Sequence, residues 1–287
     1  MSRRPVAMLI VVAAVIGGVC VWLAVSGAGP AMPSSTTGQP GSAATTIPGQ
    51  GGAQTGSAGA AIQSAADAGK YVFVYFYDGK DVTTRESEKR FGAAARKFAD
   101  RSRSVVVDVA DQSVQALVTK LGADRAPMPF IIAMAPNGAV TAGLRADFTD
   151  EQMAGSFVSP GTERCLAGLQ QGRLVVVCVQ GTSTKLNAEA MKGVRDFAAD
   201  ARFAGFTDIV TLDPKDQAEG AFLTNLGVDP KTPEAVTLLL APPGTAVAKF
   251  TGKTDGNEMA QKLQTAMSGT TCAPGSSASS GCCPPKK

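Results

Sequence analysis

Histidine is missing from this sequence of 287 residues, and its absence removes several common forms of catalysis. Imidazole is the side chain that takes up and releases a proton near neutral pH, so neither a Ser-His-Asp triad nor a Cys-His pair can be built. Zinc sites that need an imidazole ligand, including HExxH, are excluded for the same reason. A metal ion bound by this chain would need thiolate or carboxylate ligands.

Strong charge of either sign is also missing. The chain has 27 basic and 24 acidic residues, a formal net charge of +3, and no block of five or six like charges. Nucleic-acid-binding proteins typically carry a basic patch or stripe. We therefore expect no nucleic-acid partner.

The N-terminal region contains a long run without charge. Val6 to Val25 is 20 residues without a charged side chain, which as a helix would span about 30 Å, the thickness of a bilayer core. Arg3 and Arg4 precede the run, and the next basic residue is Lys70. The positive-inside rule then predicts a single-pass protein of the cytoplasmic (inner) membrane, with the N-terminus inside and the rest in the periplasm or cell exterior. The Ala, Gly and Arg content is typical of a bacterium with GC-rich DNA.

Two other interpretations of this region stay open. A cleaved signal peptide would use Ser26-Gly27-Ala28 as its processing site, although the apolar run exceeds the usual 7–15 residues and favours an anchor. Cys20 invites comparison with a lipoprotein, but Gly17-Gly18-Val19 is a poor lipobox and the apolar run continues past the cysteine. We interpret Cys20 as a membrane-embedded residue without a role.

Composition then divides the rest of the chain. Residues 26–59 contain Gly, Ser, Ala, Thr, Pro and Gln without any charge, so they offer too little apolar surface to offset the entropy of ordering. We predict a flexible linker there and a similar cysteine-containing tail at 269–287. The segments 60–159 and 160–268 remain as two globular domains.

The two domains repeat one order of elements, α-β-α-β-α-β-β-α. Apolar strands without alternation predict a sheet covered on both faces. Helical crossovers predict parallel pairing at first, and a tight turn predicts an antiparallel last pair. Thr83 and Glu86 stand at capping-box spacing and predict a helix start. The strongest matching pairs are the strands Tyr71–Tyr77 and Leu174–Gln180, the helices Glu86–Asp100 and Ala188–Ala201, and the strands Ser104–Val109 and Asp208–Leu212.

This arrangement resembles the thioredoxin fold, and the resemblance covers about Ala60 to Met267. Met128-Pro129, just ahead of the predicted strand at Phe130, resembles the cis-proline that precedes the third strand in that family. The fold class implied is α/β, with two consecutive thioredoxin-like domains, each a mixed sheet with helices on both faces, after an N-terminal transmembrane helix.

The family's catalytic motif is absent. Thioredoxins carry Cys-x-x-Cys at the start of the helix after the first central strand, where the helix terminus lowers a thiol's pKa and the second cysteine resolves the mixed disulfide. The corresponding stretches here, Asp81–Thr84 and Ser183–Leu186, contain no thiol. In the second copy Ala235 stands where Pro129 would align.

By resemblance, both copies look like the non-catalytic domains of protein disulfide isomerases, which bind clients or hold neighbouring domains apart. We therefore expect a redox-inactive module that binds a protein or peptide partner, with no catalytic residue and no cofactor. The candidate binding residues, on the face that resembles the family's docking groove, are Asp81, Thr83, Thr84, Met128 and Pro129.

Two acidic residues follow the second strand of the first domain. Asp108 and Asp111 lie at a strand end, where ligands often gather in α/β sheets. Turn formation and helix capping explain them equally well.

Two of the cysteines lie within the second domain. Cys178 lies in a predicted buried strand, where it would pack as a small apolar residue. Cys165 lies on the preceding helix, and export would permit a disulfide between the two if their Cβ atoms approach to about 4 Å.

The tail cysteines, Cys272, Cys282 and Cys283, have no packing role to explain them. They could bind a thiophilic ion such as Cu(I), form intermolecular disulfides, or act as a mobile pair for thiol-disulfide exchange. A tail without function is the fourth alternative.

Metal titration separates the first alternative from the others. If the tail thiolates bind metal, the full chain should take up more Cu(I) or Zn(II) than a variant with all three tail cysteines replaced by serine. Calorimetric or spectroscopic titration measures the stoichiometry. Equal stoichiometry for the two proteins would end the metal hypothesis.

Overall fold

The computed structural model describes residues 58–79 and 82–268. They divide into two compact units between Ala167 and Gly168, here called unit one and unit two. The predicted transmembrane segment Val6–Val25, the linker and the cysteine tail lie outside the described residues. Within the described ranges no helix is long and apolar enough to cross a membrane.

Each unit contains the predicted succession of helices and strands. The elements of unit one are α1 (Ala58–Asp67), β1 (Tyr71–Tyr77), α2 (Val82–Lys97), β2 (Ser102–Asp108), α3 (Gln115–Lys120), β3 (Phe130–Met134), β4 (Val140–Arg145) and α4 (Asp150–Ala154). The helix α5 (Pro160–Gln170) contains the boundary between the units. Unit two continues with β5 (Leu174–Val179), α6 (Asn187–Ala199), β6 (Thr207–Leu212), α7 (Gly220–Asn225), β7 (Val236–Ala241), β8 (Thr245–Thr251) and α8 (Gly256–Ser268).

Both sheets have the predicted mixed pairing. The strand order is β2-β1-β3-β4 in unit one and β6-β5-β7-β8 in unit two. In each sheet the first two strands of the chain pair in parallel, and the later two pair antiparallel with their neighbours. The repeat predicted from the sequence is therefore a repeat of one sheet topology.

The central strand of each sheet is buried on both faces. On β1, Val72, Val74 and Phe76 belong to the core on one face, while Phe73 and Tyr75 belong to the core on the other. Strict alternation of the two faces follows from the pleat of a strand. A run of apolar residues without polar interruption is what such a strand requires.

The start of α2 corrects one expectation. The helix begins at Val82, so the capping box predicted from Thr83 and Glu86 is wrong, and both residues lie inside the helix. The buried hydroxyl of Tyr75 donates a hydrogen bond to the carbonyl of Thr84 at 3.0 Å. This contact bonds the first turn of α2 to the sheet. Tertiary packing of this kind supplies most of the stability of a helix in a protein.

Acidic residues after β2 and β6 shape the turns that follow these strands. Asp108 accepts a hydrogen bond from the amide of Ala110 at 2.9 Å, and Asp213 accepts one from Lys215 at the same distance. Asp111 caps the short 3-10 helix Gln112–Val114, and Asp216 caps its counterpart in unit two. Turn formation and capping therefore account for the hydrogen bonds of Asp108 and Asp111 in unit one.

Helices α6 and α8 approach closely in unit two because Gly193 has no side chain. A Cβ atom added at Gly193 would lie 2.0 Å from the carbonyl oxygen of Thr254. One added at Gly256 would lie 2.8 Å from the backbone nitrogen of Phe197. Backbone atoms cannot rotate away as side chains can, so this contact requires glycine.

Replacing Gly193 with alanine should destabilise unit two by about 2–3 kcal/mol, because α8 must move to accept the methyl group. Hydrogen exchange measured by mass spectrometry would show faster exchange in α6 and α8. The matched control is Gly92→Ala in α2, where a Cβ meets nothing within 4 Å. That substitution should stabilise unit one by up to about 1 kcal/mol, and similar effects from both would contradict the close-contact argument.

Candidate functional site

Strand register brings the described candidate residues of unit one to one end of its sheet. Phe76 on β1 pairs with Phe130 on β3, so Met128-Pro129 continues beyond the carboxyl end of β1. Tyr77 pairs with Asp108, the last residue of β2, at the same end. The first turn of α2 begins five residues after Tyr77. Ligands of α/β sheets commonly bind at the carboxyl ends of the strands.

The segment that leads into β3 presents backbone groups without partners. Pro129 is buried and its peptide bond with Met128 is cis, as the resemblance implied. The Met128 side chain is half-buried against the core of unit one, while Pro127 is exposed. Among the residues that the structure describes, none forms a hydrogen bond with the amide or carbonyl of Met128. Backbone groups normally find a partner, so these two are available to one.

The first turn of α2 presents one unusual side chain at this end. Thr84 is 5% exposed, and its hydroxyl has no hydrogen-bond partner within the described part of the chain. A buried hydroxyl without a partner costs about 1–3 kcal/mol. Asp81 and the side chain of Thr83 lie outside the described structure. The binding roles of all five candidate residues stay predictions.

Tyr75 supports the site without supplying acid-base chemistry. Its ring stacks on Phe91 with the centroids 5.1 Å apart. Burial raises the pKa of the Tyr75 phenol, and nearby Glu88 acts in the same direction. Burial also raises the pKa of Tyr77 at the end of the strand. Both phenols are therefore neutral at physiological pH.

The corresponding place in unit two differs in sequence and in loop length. Ala235 directly precedes β7, as the alignment with Pro129 predicted. Among the described residues of unit two the cis peptide bond is Pro242-Pro243, in the turn between β7 and β8. The loop between β5 and α6 spans residues 180–186, whereas the loop between β1 and α2 spans 78–81. Unit two therefore has a longer loop before its helix, which the sequence comparison did not identify.

The described cysteines are buried and are not joined to each other. Cys165 is 2% exposed and Cys178 is 3% exposed, and the disulfide considered between them is absent. Cys178 belongs to the core of unit two, which confirms the packing interpretation. Burial raises the pKa of the Cys178 thiol to about 12.

Cys272, Cys282 and Cys283 lie outside the described residues. Among residues 58–79 and 82–268 no group of three or more cysteine, aspartate or glutamate side chains could hold a metal ion.

Comparison with known proteins finds similarity in solved structures. No protein-family model and no curated protein matches the chain. Thioredoxin Deadhead from Drosophila melanogaster is 20% identical, with 37% of this chain and 93% of that chain covered and a TM-score of 0.30. The first two thioredoxin domains of Saccharomyces cerevisiae Eps1p are 14% identical, covering 75% of this chain and 99% of that one, TM-score 0.28. A zinc-bound form of human ERp44 is 9% identical, covering 71% and 57%, TM-score 0.29.

These likenesses concern the fold alone. The chain contains two successive thioredoxin-like units, and the strand order and pairing are the same in each.

Native Cys178 should resist alkylation. Only the thiolate reacts, and a pKa of about 12 leaves almost none of it at mildly alkaline pH. Iodoacetamide labelling followed by peptide mass spectrometry should show Cys178 unmodified in the native protein and fully modified in concentrated guanidinium. The pKa of Cys178 in the folded protein lies above that of an ordinary thiol. Raising the pH to just above the ordinary thiol pKa should therefore add little labelling of Cys178 while the fold persists. Native labelling as fast as that of a free thiol would contradict this assignment.

Proposed function

We propose that this chain is a membrane-anchored, redox-inactive module that binds an extended polypeptide outside the cytoplasm, with unit one providing the docking edge. The observation that carries the proposal is that no described residue pairs with the backbone of Met128, beside a helix start whose sequence contains no thiol. An extended chain can supply one N–H and one C=O to these two backbone groups at the N-terminal end of β3.

The chemistry of the edge supports binding without covalent exchange. Disulfide exchange needs a thiolate to attack sulfur, and neither helix start offers one. The described thiols, Cys165 and Cys178, are buried. A polypeptide bound at Met128 would therefore be held by backbone hydrogen bonds and by apolar contact with Met128 and Pro129, and would be released unchanged.

The N-terminal sequence supports the location. The uncharged run from Val6 to Val25, with Arg3 and Arg4 before it, is the pattern of a signal anchor with its N-terminus inside. The uncharged linker at 26–59 would let the units reach polypeptides away from the membrane surface. In this proposal the units act as a holding or scaffolding element.

Binding to a permanently unfolded chain tests the proposal. The probe is reduced, alkylated α-lactalbumin, which is extended and has no free thiol, labelled for fluorescence anisotropy. The protein is the full chain with its three tail cysteines replaced by serine. Pro127→Trp places an indole at the exposed edge and should weaken binding about tenfold or more, because it blocks access to the Met128 backbone.

The control places the same indole on α4 of the same unit. Ala154 is exposed, so Ala154→Trp should leave the affinity unchanged. Equal affinity for the Pro127 and Ala154 variants would place the binding site elsewhere. Reduction of insulin by the variant without tail cysteines would contradict the redox-inactive assignment.

A further inference from the structure

In unit two, the loop between β5 and α6 folds back onto the segment that leads into β7. The amide of Lys185 donates to the carbonyl of Pro233 at 2.9 Å, and the amide of Ala235 donates to the carbonyl of Lys185 at 2.9 Å. The contact is an isolated parallel β-bridge between Lys185 and Glu234. One residue of the chain thus makes the pair of hydrogen bonds that an added parallel strand would make.

Side chains inside the loop hold it in this shape. The Thr184 hydroxyl accepts a hydrogen bond from the amide of Gly181 at 2.9 Å and donates to Oδ1 of Asn187 at 2.7 Å. Nδ2 of Asn187 donates to the carbonyl of Gly181 at 2.9 Å. The loop therefore forms a closed turn that presents Lys185 to the segment before β7.

The closed loop has two local costs. Leu186 has φ 60° and ψ 23°, and among the described residues it is the one non-glycine with positive φ. A left-handed backbone is unfavourable for a branched side chain, and Leu186 is 39% exposed, so burial does not hold it there. The Oε1 atom of Gln180 is buried and has no hydrogen-bond partner within the described structure. The left-handed strain at Leu186 would be relieved if the loop left the edge.

We propose that unit two contains a second docking edge, formed by Pro233–Ala235, and that the chain's own Lys185-Leu186 occupies it as an internal ligand. The external ligand is an extended polypeptide that replaces Lys185 in the same two hydrogen bonds. Its nearest chemical model is the loop itself, a stretch of small hydroxyl residues followed by a basic and an aliphatic residue. The closed form is therefore autoinhibited.

The two units differ at this edge because of one backbone donor. Position 235 is alanine, whose amide holds the loop, whereas the aligned residue of unit one is Pro129, which has no amide hydrogen. The loop in unit one is also shorter, residues 78–81 against 180–186. The proposal for unit two rests on its own hydrogen bonds and stands whether or not unit one binds a polypeptide.

Two substitutions at Leu186 should shift the closed loop in opposite directions. Leu186→Gly removes the left-handed penalty and should slow hydrogen exchange at the amides of Lys185 and Ala235 by about 5- to 30-fold. Leu186→Val, with a β-branched side chain, increases the penalty and should speed that exchange. Mass spectrometry of the full chain, with peptides covering 181–187 and 231–236, measures both.

Peptide binding then tests the edge itself. The probe is a labelled, end-capped synthetic peptide with the sequence of Gly181–Asn187. Its binding is measured by fluorescence anisotropy. The proteins are full-chain variants that also carry Pro127→Trp, which blocks unit one. Affinity should rise severalfold in the Leu186→Val protein and fall severalfold in the Leu186→Gly protein, because apparent affinity scales with the open fraction. Equal affinity for both, no binding to either, or exchange unchanged by both substitutions would overturn the proposal. Failure of unit one as a docking edge would instead appear in the Pro127 and Ala154 comparison.

Discussion

Burial of the central strand on both faces is the constraint from which the rest of each unit follows. β1 and β5 are apolar along their whole length, so helices must cover both sides of each sheet. Such a sheet meets solvent mainly at its strand ends and its edge strands. The loops that leave β1 and β5, and the segments that enter β3 and β7, are therefore where backbone hydrogen-bonding groups become available to a partner.

The loss of sulfur at both helix starts separates two properties that thioredoxin-like proteins usually combine. Attack on a disulfide needs a thiolate at the helix terminus, whereas holding a polypeptide needs backbone groups at the neighbouring edge. This chain lacks the thiolate at both helix starts, and we propose that it has the docking groups. Buried Cys178, whose pKa is raised by its apolar surroundings, belongs to the core of unit two.

Most of the fold could be predicted because hydrophobic pattern and internal repeat agree. The strands at Tyr71 and Leu174 follow from local sequence. The start of α2 did not: the helix begins one residue before the predicted cap, and its first turn is bonded to Tyr75 of the sheet, which a local pattern does not contain. The candidate edge at Met128-Pro129 came from resemblance, and only the structure shows that no described residue pairs with the backbone of Met128.

The closed loop of unit two could not be predicted at all from patterns of residue type, because it depends on backbone atoms. Sequence comparison marked Ala235 as a missing proline, that is, as a loss. In three dimensions the same substitution supplies an amide hydrogen, and that hydrogen binds the carbonyl of Lys185. A seven-residue loop can reach it, and the left-handed Leu186 lets the chain turn from the bridge into α6. The aligned positions therefore differ in one backbone group: Pro129 has no amide hydrogen to donate, whereas the amide of Ala235 binds the chain's own Lys185.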